Sequence, residues 1–308
     1  MAVSNSPVVS VLVTVYNREQ YLQATLVSIL QSSFSNFEVV VVDDGSTDGS
    51  LDIAQDVAQS DPRIRVESNP SNLGDYGNRM QAASLARGKY IKYVDSDDLI
   101  YPHGLQVMVD AMQRYPDAAL ALAHSMPEDI SPYPWYLKSI EAYRKHFLGR
   151  GCMSCGPTGA IIRRDAFDAV GGFRKQWGVL SDSELWYRLA AEYPVVLLPP
   201  GLVWWRRHDA QEFTKDDASD VYMRRGYELD IAAVGCNCPL SEAERNQAID
   251  LKKKQYARRI ISLALRKRRI RKAWRLYRDS DLSIADIVNA FVSRRWPHVS
   301  RPKYPKVL

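Results

Sequence analysis

The segment that decides the fold is Phe37-Glu38-Val39-Val40-Val41-Val42-Asp43-Asp44-Gly45-Ser46, in which four consecutive valines run into a cluster of turn-forming residues. An uninterrupted run of β-branched residues is typical of a strand that is buried on both faces of a sheet. Asp, Gly and Ser then end the strand, because each favours turn conformations. Residues 9–15 repeat the pattern and end at Tyr16-Asn17. The chain therefore begins with two predicted parallel strands.

Helical patterns alternate with further strand signals along the first two-thirds of the chain. Asn17 and Asp48 follow the first two strands and are predicted to cap the helices after them. Shorter apolar runs predict three more strands, at residues 64–67, 90–94 and 118–123. This order predicts an α/β fold, an open and mostly parallel doubly wound sheet with helices on both faces. Ligands of such sheets bind beyond the carboxyl ends of the strands, so residues that follow strands form the candidate site.

Three carboxylates follow the predicted strand at residues 90–94, within Asp95-Ser96-Asp97-Asp98. If the backbone stays extended, side-chain alternation puts Asp95 and Asp97 on one side. Neighbouring carboxylates repel each other unless a cation lies between them, and oxygen ligands suit Mg2+ or Mn2+. Taken alone, such a cluster is more often a helix cap or a solvated turn. Its position at a strand end, together with the motifs below, favours a metal-diphosphate site.

Two further segments carry candidate chemistry. Asp44 can accept a hydrogen bond from the imide N–H of uracil or thymine, or from N1–H of guanine, although the segment is equally typical of an ordinary turn. Gly156-Pro157-Thr158-Gly159 is compatible with a donor-sugar or acceptor pocket, and also with a simple turn leading into a strand. Neither segment decides a function by itself.

Taken in order, these motifs resemble those of the family 2 glycosyltransferases, inverting enzymes with the GT-A fold, from about Val8 to His208. The matching segments are residues 9–17, 37–48, 72–74 with Arg79, 86–98, 171–173, 181–189 and 206–208. The resemblance implies a nucleotide-sugar donor and a role for each matching residue. Thr14 and Tyr16 would line the base pocket, Asp44 would hold the base, Arg79 would lie near the nucleotide, Asp95 would contact the ribose, Asp97 would ligate Mg2+ or Mn2+, Asp182 would be the general base, and His208 would approach the metal or diphosphate.

The sequence departs from the family pattern at two positions. Ser181 stands where the family usually has Glu before the base, which leaves Glu184 as an alternative to Asp182. Met80 stands where the family often has Asn. Outside the motif context, His208 is more typical of a structural histidine.

Charge divides the chain into an acidic body and a basic tail. Residues 251–308 contain 18 Lys and Arg against 3 Asp and Glu, whereas the first 250 residues contain 23 against 33. We predict a GT-A glycosyltransferase domain at residues 1–235 and a basic helical C-terminal region at residues 236–308. A basic amphipathic helix suits an anionic membrane surface, and equally a helix that packs on its own domain. Nucleic acid is a disfavoured partner, because no reader motif is present.

The sequence therefore predicts an inverting, metal-dependent glycosyltransferase that uses a nucleotide-diphosphate sugar, with a UDP-sugar favoured. The acceptor would be a saccharide or a lipid-linked saccharide in the synthesis of cell-surface polysaccharide or glycoconjugate. The alternative is a catalytically inactive nucleotide-binding module that acts through its basic helices. Without a predicted signal peptide or membrane span, we expect a cytoplasmic protein, peripheral on the inner face of the membrane if the tail binds lipid.

The four cysteines do not form a recognisable metal motif. Cys152 and Cys155 have metal or redox spacing, but Cys236 and Cys238 do not match that spacing and no paired histidines follow. Reduced thiols are therefore favoured over a zinc site.

Overall fold

The computed structural model describes residues 6–123, 131–208, 218–235, 237–266 and 268–293. Strands and helices alternate from the start of the chain, as predicted. The first group of elements is β1 (Val9–Val15), α1 (Glu19–Leu30), β2 (Phe37–Asp43), α2 (Ser50–Ser60), β3 (Ile64–Ser68), α3 (Asp75–Ser84), β4 (Tyr90–Tyr93), β5 (Leu99–Ile100), α4 (Gly104–Arg114) and β6 (Leu120–Ala123). The second group is β7 (Trp135–Leu137), α5 (Ser139–Tyr143), β8 (Ala160–Arg163), α6 (Arg164–Ala169), α7 (Ser181–Glu192), β9 (Val195–Leu198) and β10 (Val203–Trp204).

Eight strands form one sheet in the order β3-β2-β1-β4-β8-β6-β9-β7. Strands β3, β2, β1 and β4 are mutually parallel, β6 pairs in parallel with β9, and β8 and β7 run antiparallel to their neighbours. The prediction of an open, mostly parallel α/β sheet is confirmed. Strands β5 and β10 form a separate antiparallel pair that brings residues 206–208 next to the turn after β4.

The central strands are buried on both faces, as their continuous apolar runs predict. One apolar cluster packs α3, α5 and α7 against one face of the sheet, and a second packs α1, α2 and α4 against the other. Gly88 lies so close to β1 that an added Cβ would be 2.5 Å from the backbone nitrogen of Ser10. The sheet is thus covered by helices on both faces, and its strand ends are left open to ligands.

Two local predictions differ from the structure. Asn17 does not cap α1, because its side-chain oxygen accepts a hydrogen bond from the backbone N–H of Thr47, 2.8 Å away in the turn after β2. Asp48 accepts from the N–H of Ser50 at 3.0 Å but lies two positions before α2, which begins at Ser50. Both side chains connect the loops at the strand ends.

The C-terminal part is helical, with α8 (Ala218–Ala233), α9 (Glu242–Leu265), α10 (Ile270–Arg278) and α11 (Ile284–Val292). A third apolar cluster joins these four helices, and within it the rings of Tyr227 and Tyr256 stack at 4.4 Å. The division into 1–235 and 236–308 stays a prediction. Within the described ranges, the search for a helix long and apolar enough to cross a membrane finds none.

Candidate functional site

A cavity of about 440 Å3 opens at the carboxyl ends of β1, β2 and β4, where the sheet topology predicts a ligand. Its volume is in the range of small-molecule sites. Seven of the eight residues implied by the resemblance line this cavity, which we call the donor cavity. They are Thr14, Tyr16, Asp44, Arg79, Asp95, Asp97 and Asp182.

Asp44 is buried at the end of β2 and fixes the neighbouring loop. Its carboxylate accepts hydrogen bonds from the Asn69 side chain at 2.8 Å, from Leu73 N–H at 2.9 Å and from Gly74 N–H at 3.0 Å. An ionised carboxylate offers about four acceptor positions, so roughly one remains for a ligand. Gly74 has φ +76°, a conformation that glycine adopts without steric strain. Asp44 therefore shapes the cavity as well as presenting an acceptor in it.

Arg79 is buried beneath the cavity and joins two acidic residues. Its Nε lies 2.8 Å from Asp75, and its Nη2 lies 2.8 Å from Asp95 Oδ1. The guanidinium also lies over the rings of Tyr76 and Tyr93. Although burial alone would lower the pKa of Arg79, the two carboxylates raise it, so the side chain stays charged. The arginine holds Asp95 in place at the cavity wall.

Asp97 lies between two groups that are far from it in sequence. Its Oδ2 is 3.0 Å from His208 Nε2 and 3.3 Å from Arg18 Nε. His208 packs beside the ring of Tyr21, with centroids 4.7 Å apart. The β5–β10 pair brings His208 to this position, because it aligns residues 203–204 with residues 99–100. The predicted proximity of His208 to the aspartate cluster is present in the structure.

The aspartate cluster is a turn and not a continuation of the strand. Strand β4 ends at Tyr93, and Asp98 N–H donates to Asp95 O at 2.9 Å, so the extended alternation used in the prediction does not apply. Asp98 is buried and accepts from the backbone N–H of Arg206 at 3.0 Å. Only Asp95 and Asp97 of the three carboxylates line the donor cavity.

Thr158 organises this turn from the segment that precedes β8. Its hydroxyl accepts from Asp95 N–H at 3.0 Å and bonds the Asp98 carboxylate, and its carbonyl accepts from Lys92 Nζ. Lys92 is fully buried, and burial lowers its pKa to about 7. The glycine-rich segment at residues 156–159 is thus a turn, as one interpretation predicted, and it also positions the aspartates and lines the cavity through Gly156 and Pro157.

Asp182 lies at the start of α7 on the cavity wall. Burial above all, together with the charge of Asp95, raises the pKa of its carboxyl group to about 6, although Ser183 N–H and Arg79 oppose the shift. Glu184, the alternative base, lies outside the donor cavity and pairs with Arg188 at 2.7 Å. The geometry therefore favours Asp182 as the residue that can exchange a proton with a ligand.

The donor set around Asp97 fits a divalent cation. Asp97 Oδ2 and His208 Nε2 are adjacent, at a hydrogen-bond distance of 3.0 Å, and a carboxylate oxygen together with an imidazole nitrogen can ligate a divalent metal. Two protein ligands are what Mg2+ or Mn2+ needs when substrate phosphates supply others. The described residues contain no group of three or more His, Cys, Asp or Glu side chains that could hold a metal alone. Cys155 and Cys238 are free thiols, the Cys152 Sγ lies 3.8 Å from the carbonyl oxygen of Ala142, and Cys236 lies outside the described residues.

Sequence reasoning missed three contributors to the cavity. Arg18 follows the predicted Tyr16-Asn17 motif and contacts Asp97. A motif of consecutive residues does not predict this contact, because the two residues are far apart in the sequence. Trp205 and Tyr222 line the far wall, and Trp205 is 55% exposed. For Trp205 the available sequence signal was the Trp204-Trp205 pair shortly before His208, since such rings provide stacking surfaces for bases and sugars.

The family model described as glycosyl transferase family 2 matches residues 10–171, more than half of the chain. An uncharacterized glycosyltransferase of Haemophilus influenzae is 36% identical over 108 residues, covering 35% of this chain and 43% of that protein. The putative teichuronic acid biosynthesis glycosyltransferase TuaG of Bacillus subtilis is 33% identical over 137 residues, covering 44% and 54%. The chain thus spans about a third to a half of these first curated relatives.

Solved structures share the fold at low sequence identity. S. aureus TarS 1–349 has a TM-score of 0.66 at 19% identity, covering 93% of this chain and 81% of that one. Its complex with UDP-GlcNAc has a TM-score of 0.63, also at 19% identity, covering 92% and 79%. The mannosyltransferase PcManGT of Pyrobaculum calidifontis, in complex with GDP-Man and Mn2+, has a TM-score of 0.58 at 17% identity, covering 94% and 88%. This likeness confirms the predicted GT-A-type fold.

Proposed function

Because the chain belongs to glycosyltransferase family 2, we propose that it moves a sugar from a nucleotide-diphosphate sugar to a saccharide or lipid-linked saccharide. A UDP-sugar is the favoured donor, and the product would be a cell-surface polysaccharide or glycoconjugate. The observation that carries the proposal is the donor cavity, which gathers Asp44, Asp95, Asp97 and Asp182 at the strand ends. One region of the cavity can thus bind the nucleotide while another deprotonates the acceptor.

The base and ribose would occupy the cavity beside β1 and β2. Tyr16 is 47% exposed there and offers a ring on which a base can stack. The remaining acceptor position of Asp44 suits the imide N–H of uracil. Asp95, held by Arg79, would accept from a ribose hydroxyl. The structural neighbour that holds UDP-GlcNAc supports uracil, while the neighbour that holds GDP-Man keeps guanine as the competing base.

Asp97 and His208 would hold Mg2+ or Mn2+ together with the donor diphosphate. Such an ion would supply positive charge against the negative charge that develops on the departing nucleoside diphosphate. Arg18, 3.3 Å from Asp97, provides a further cation at the same place. These groups stabilise the leaving group, while the acceptor hydroxyl needs a separate base.

Asp182 is our proposed general base for a one-step inverting displacement. With a pKa of about 6, its carboxylate is ionised at neutral pH and still basic enough to take the hydroxyl proton as the anomeric bond forms. The proton moves to Asp182 and the electron pair of the breaking bond leaves with the nucleoside diphosphate. Inversion follows because the acceptor attacks the face opposite the leaving group.

A thermal-shift screen of UDP, GDP and dTDP, with and without Mn2+, tests donor binding first. We expect the melting temperature to rise most with UDP plus Mn2+, because a ligand that binds only the native state stabilises it. Transfer from UDP-sugars should then require Mg2+ or Mn2+, and Asp182→Asn should lower turnover by about 10²–10⁴-fold.

Three results would contradict the proposal. Full activity in Asp97→Ala or Asp182→Asn would exclude Asp97 as a metal ligand or Asp182 as the general base. Nucleotide binding without turnover, across donors and acceptors, would favour the inactive nucleotide-binding module. Release of pyrophosphate during turnover would indicate a nucleotidyltransferase.

We also propose that α10 and α11 bring the protein to an anionic membrane. Apolar side chains on these helices are exposed while their opposite faces pack on α9. This surface, which we call the basic apolar surface, consists of Leu265 at the end of α9 and of Ile270, Trp274, Ile284, Val288, Phe291 and Val292 on α10 and α11. It lies in the segment 251–308, whose net charge is +15. Apolar insertion next to basic side chains is the pattern of helices that lie in an anionic lipid interface.

Liposome sedimentation tests this surface. We expect binding to vesicles that contain anionic lipid, weaker binding at high salt, and loss of binding in Trp274→Ser/Phe291→Ser. Equal sedimentation with neutral and anionic vesicles would contradict an electrostatic anchor. A concentration-dependent increase in mass, abolished by the same substitutions, would instead assign the surface to contact between two copies of the chain.

A further inference from the structure

A second cavity, of about 330 Å3, lies between α7 and the C-terminal helices α8 and α9. Its walls are the loop at residues 149–154, the start of α7, and the facing sides of α8 and α9. We call it the α8–α9 cavity. The volume suits a monosaccharide with one charged substituent, at the lower end of the range for small-molecule sites. No role in the transfer described above requires this cavity.

A buried hydrogen-bond chain fixes the walls of the α8–α9 cavity. His146 Nδ1 accepts from the N–H groups of residues 152 and 153, so its Nε2 carries the proton and donates to Tyr187 Oη at 2.9 Å. Tyr187 donates to Asp230 at 3.0 Å, and the other oxygen of Asp230 lies 2.8 Å from Lys252 Nζ. Burial lowers the pKa of His146 to about 3, so the ring stays neutral. The chain ties the loop, α7, α8 and α9 into one frame.

The charge left over in the α8–α9 cavity is positive. Lys252 and Asp230 neutralise each other. Arg150 and Arg259 are exposed at the cavity, and within the described residues neither makes a hydrogen bond or an ion pair. Guanidinium groups present paired N–H donors that match phosphate and carboxylate oxygens. Two such groups without a protein partner indicate an anionic ligand.

The α8–α9 cavity adjoins the donor cavity at the proposed base. Asp182 lines the donor cavity, and the next residue, Ser183, lines the α8–α9 cavity. Helix α8 forms part of both walls, with Tyr222 at the donor cavity and Gly226, one turn later, at the other. The two cavities therefore share α7 and α8 as walls, which places a ligand of the α8–α9 cavity beside the helix turn that carries Asp182.

From this placement we infer that the α8–α9 cavity binds an anionic group of the acceptor, a phosphate or a carboxylate, through Arg150 and Arg259. The inference rests on the proposed glycosyl transfer, since only that reaction requires an acceptor next to Asp182. It narrows the acceptor from any saccharide to one that carries negative charge near the hydroxyl that receives the sugar.

Isothermal titration calorimetry in the presence of saturating UDP tests the inference. The three probes are glycerol 3-phosphate, glucuronate and glucose. We expect an anionic probe to bind and glucose not to bind. Arg150→Ala/Arg259→Ala should weaken binding by roughly tenfold or more, the loss expected for one charged hydrogen bond. Arg150→Lys/Arg259→Lys should lose part of the affinity, because the charge stays and the paired donors are removed.

Arg87→Ala/Arg114→Ala is the matched control, since it removes the same charge from positions outside the cavity lining. Tighter binding of glycerol 3-phosphate or of glucuronate identifies phosphate or carboxylate as the preferred group. The inference would be overturned if the control pair weakened binding equally, or if neither anion bound. Because probe binding needs no turnover, a failure to transfer sugar would refute the proposed function and leave the anion site standing.

Discussion

Replacing Asp182 with Asn is expected to abolish transfer and, at neutral pH, to raise the free energy of unfolding. The folded protein holds the Asp182 pKa at about 6, against an ordinary value of 3.8, chiefly because of burial. A shift of about two units corresponds to about 3 kcal/mol of destabilisation when the carboxyl is ionised. Because the side chain keeps some contact with water, we expect a gain of about 2–3 kcal/mol. Asn retains the oxygen that accepts from Ser183 N–H.

The sign of this effect sets its pH window. A carboxyl whose pKa is raised by folding binds protons more tightly in the native state, so its ionisation destabilises the fold. Below about pH 4 the group is protonated in both states, and the variant should match the parent. Between pH 4 and 6 the difference should grow, and above pH 6 it should be constant. Turnover of the parent should rise as the pH passes through about 6, because the base must be ionised.

Urea unfolding at several pH values, followed by tryptophan fluorescence, measures the difference directly. Asp61→Asn is the control of opposite sign, because hydrogen bonds from Arg63 lower the pKa of Asp61. That substitution should destabilise the protein above the ordinary pKa and lose its effect as the pH falls. Two results would refute the claim that Asp182 is a buried base with a raised pKa. One is a change in the free energy of unfolding of Asp182→Asn that does not vary with pH, and the other is a loss of stability of this variant at pH 7.5.

Three other substitutions have defined outcomes. Thr158→Ala should lower the free energy of unfolding by about 1–3 kcal/mol and reduce turnover, because Asp95 N–H loses its acceptor. In the same unfolding and turnover assays, Thr158→Ser should match the parent protein, because the hydroxyl is kept. His208→Ala should raise the Mn2+ concentration needed for half-maximal activity, and an unchanged metal titration would exclude it as a ligand. Gly88→Ala should destabilise the protein by about 3 kcal/mol in urea unfolding, because the added Cβ would clash with backbone atoms of β1. Gly226→Ala is the control and should not destabilise the protein, because its added Cβ would have no neighbouring atom within 4 Å.

The parts of the site that follow strands were predictable, whereas the contacts that hold them were not. Hydrophobic runs identify β1, β2 and β4, and sheet topology then brings Asp44 and Asp95 to one edge. Arg18 reaches Asp97 across 79 positions, and Thr158 reaches Asp95 across 63. Periodicity carries no information about such pairs, because it reports which face a residue occupies and not what lies opposite. For the same reason the sequence favours a helix cap at Asn17, whereas in the structure its side-chain oxygen accepts a hydrogen bond from Thr47 N–H in the turn after β2.

The departure at Ser181 illustrates why a missing family residue does not by itself indicate lost catalysis. The Ser181 hydroxyl is buried and lies 2.8 Å from the carbonyl oxygens of Arg174 and of Gly178, so it fixes the turn that leads into α7. Burial and the charge of Asp95 raise the pKa of Asp182 to about 6, so the carboxylate beside Ser181 is still ionised at neutral pH. Serine at this position thus fixes the turn before α7 and leaves in place the ionised base that proton abstraction requires, which weakens the one sequence argument for the inactive module.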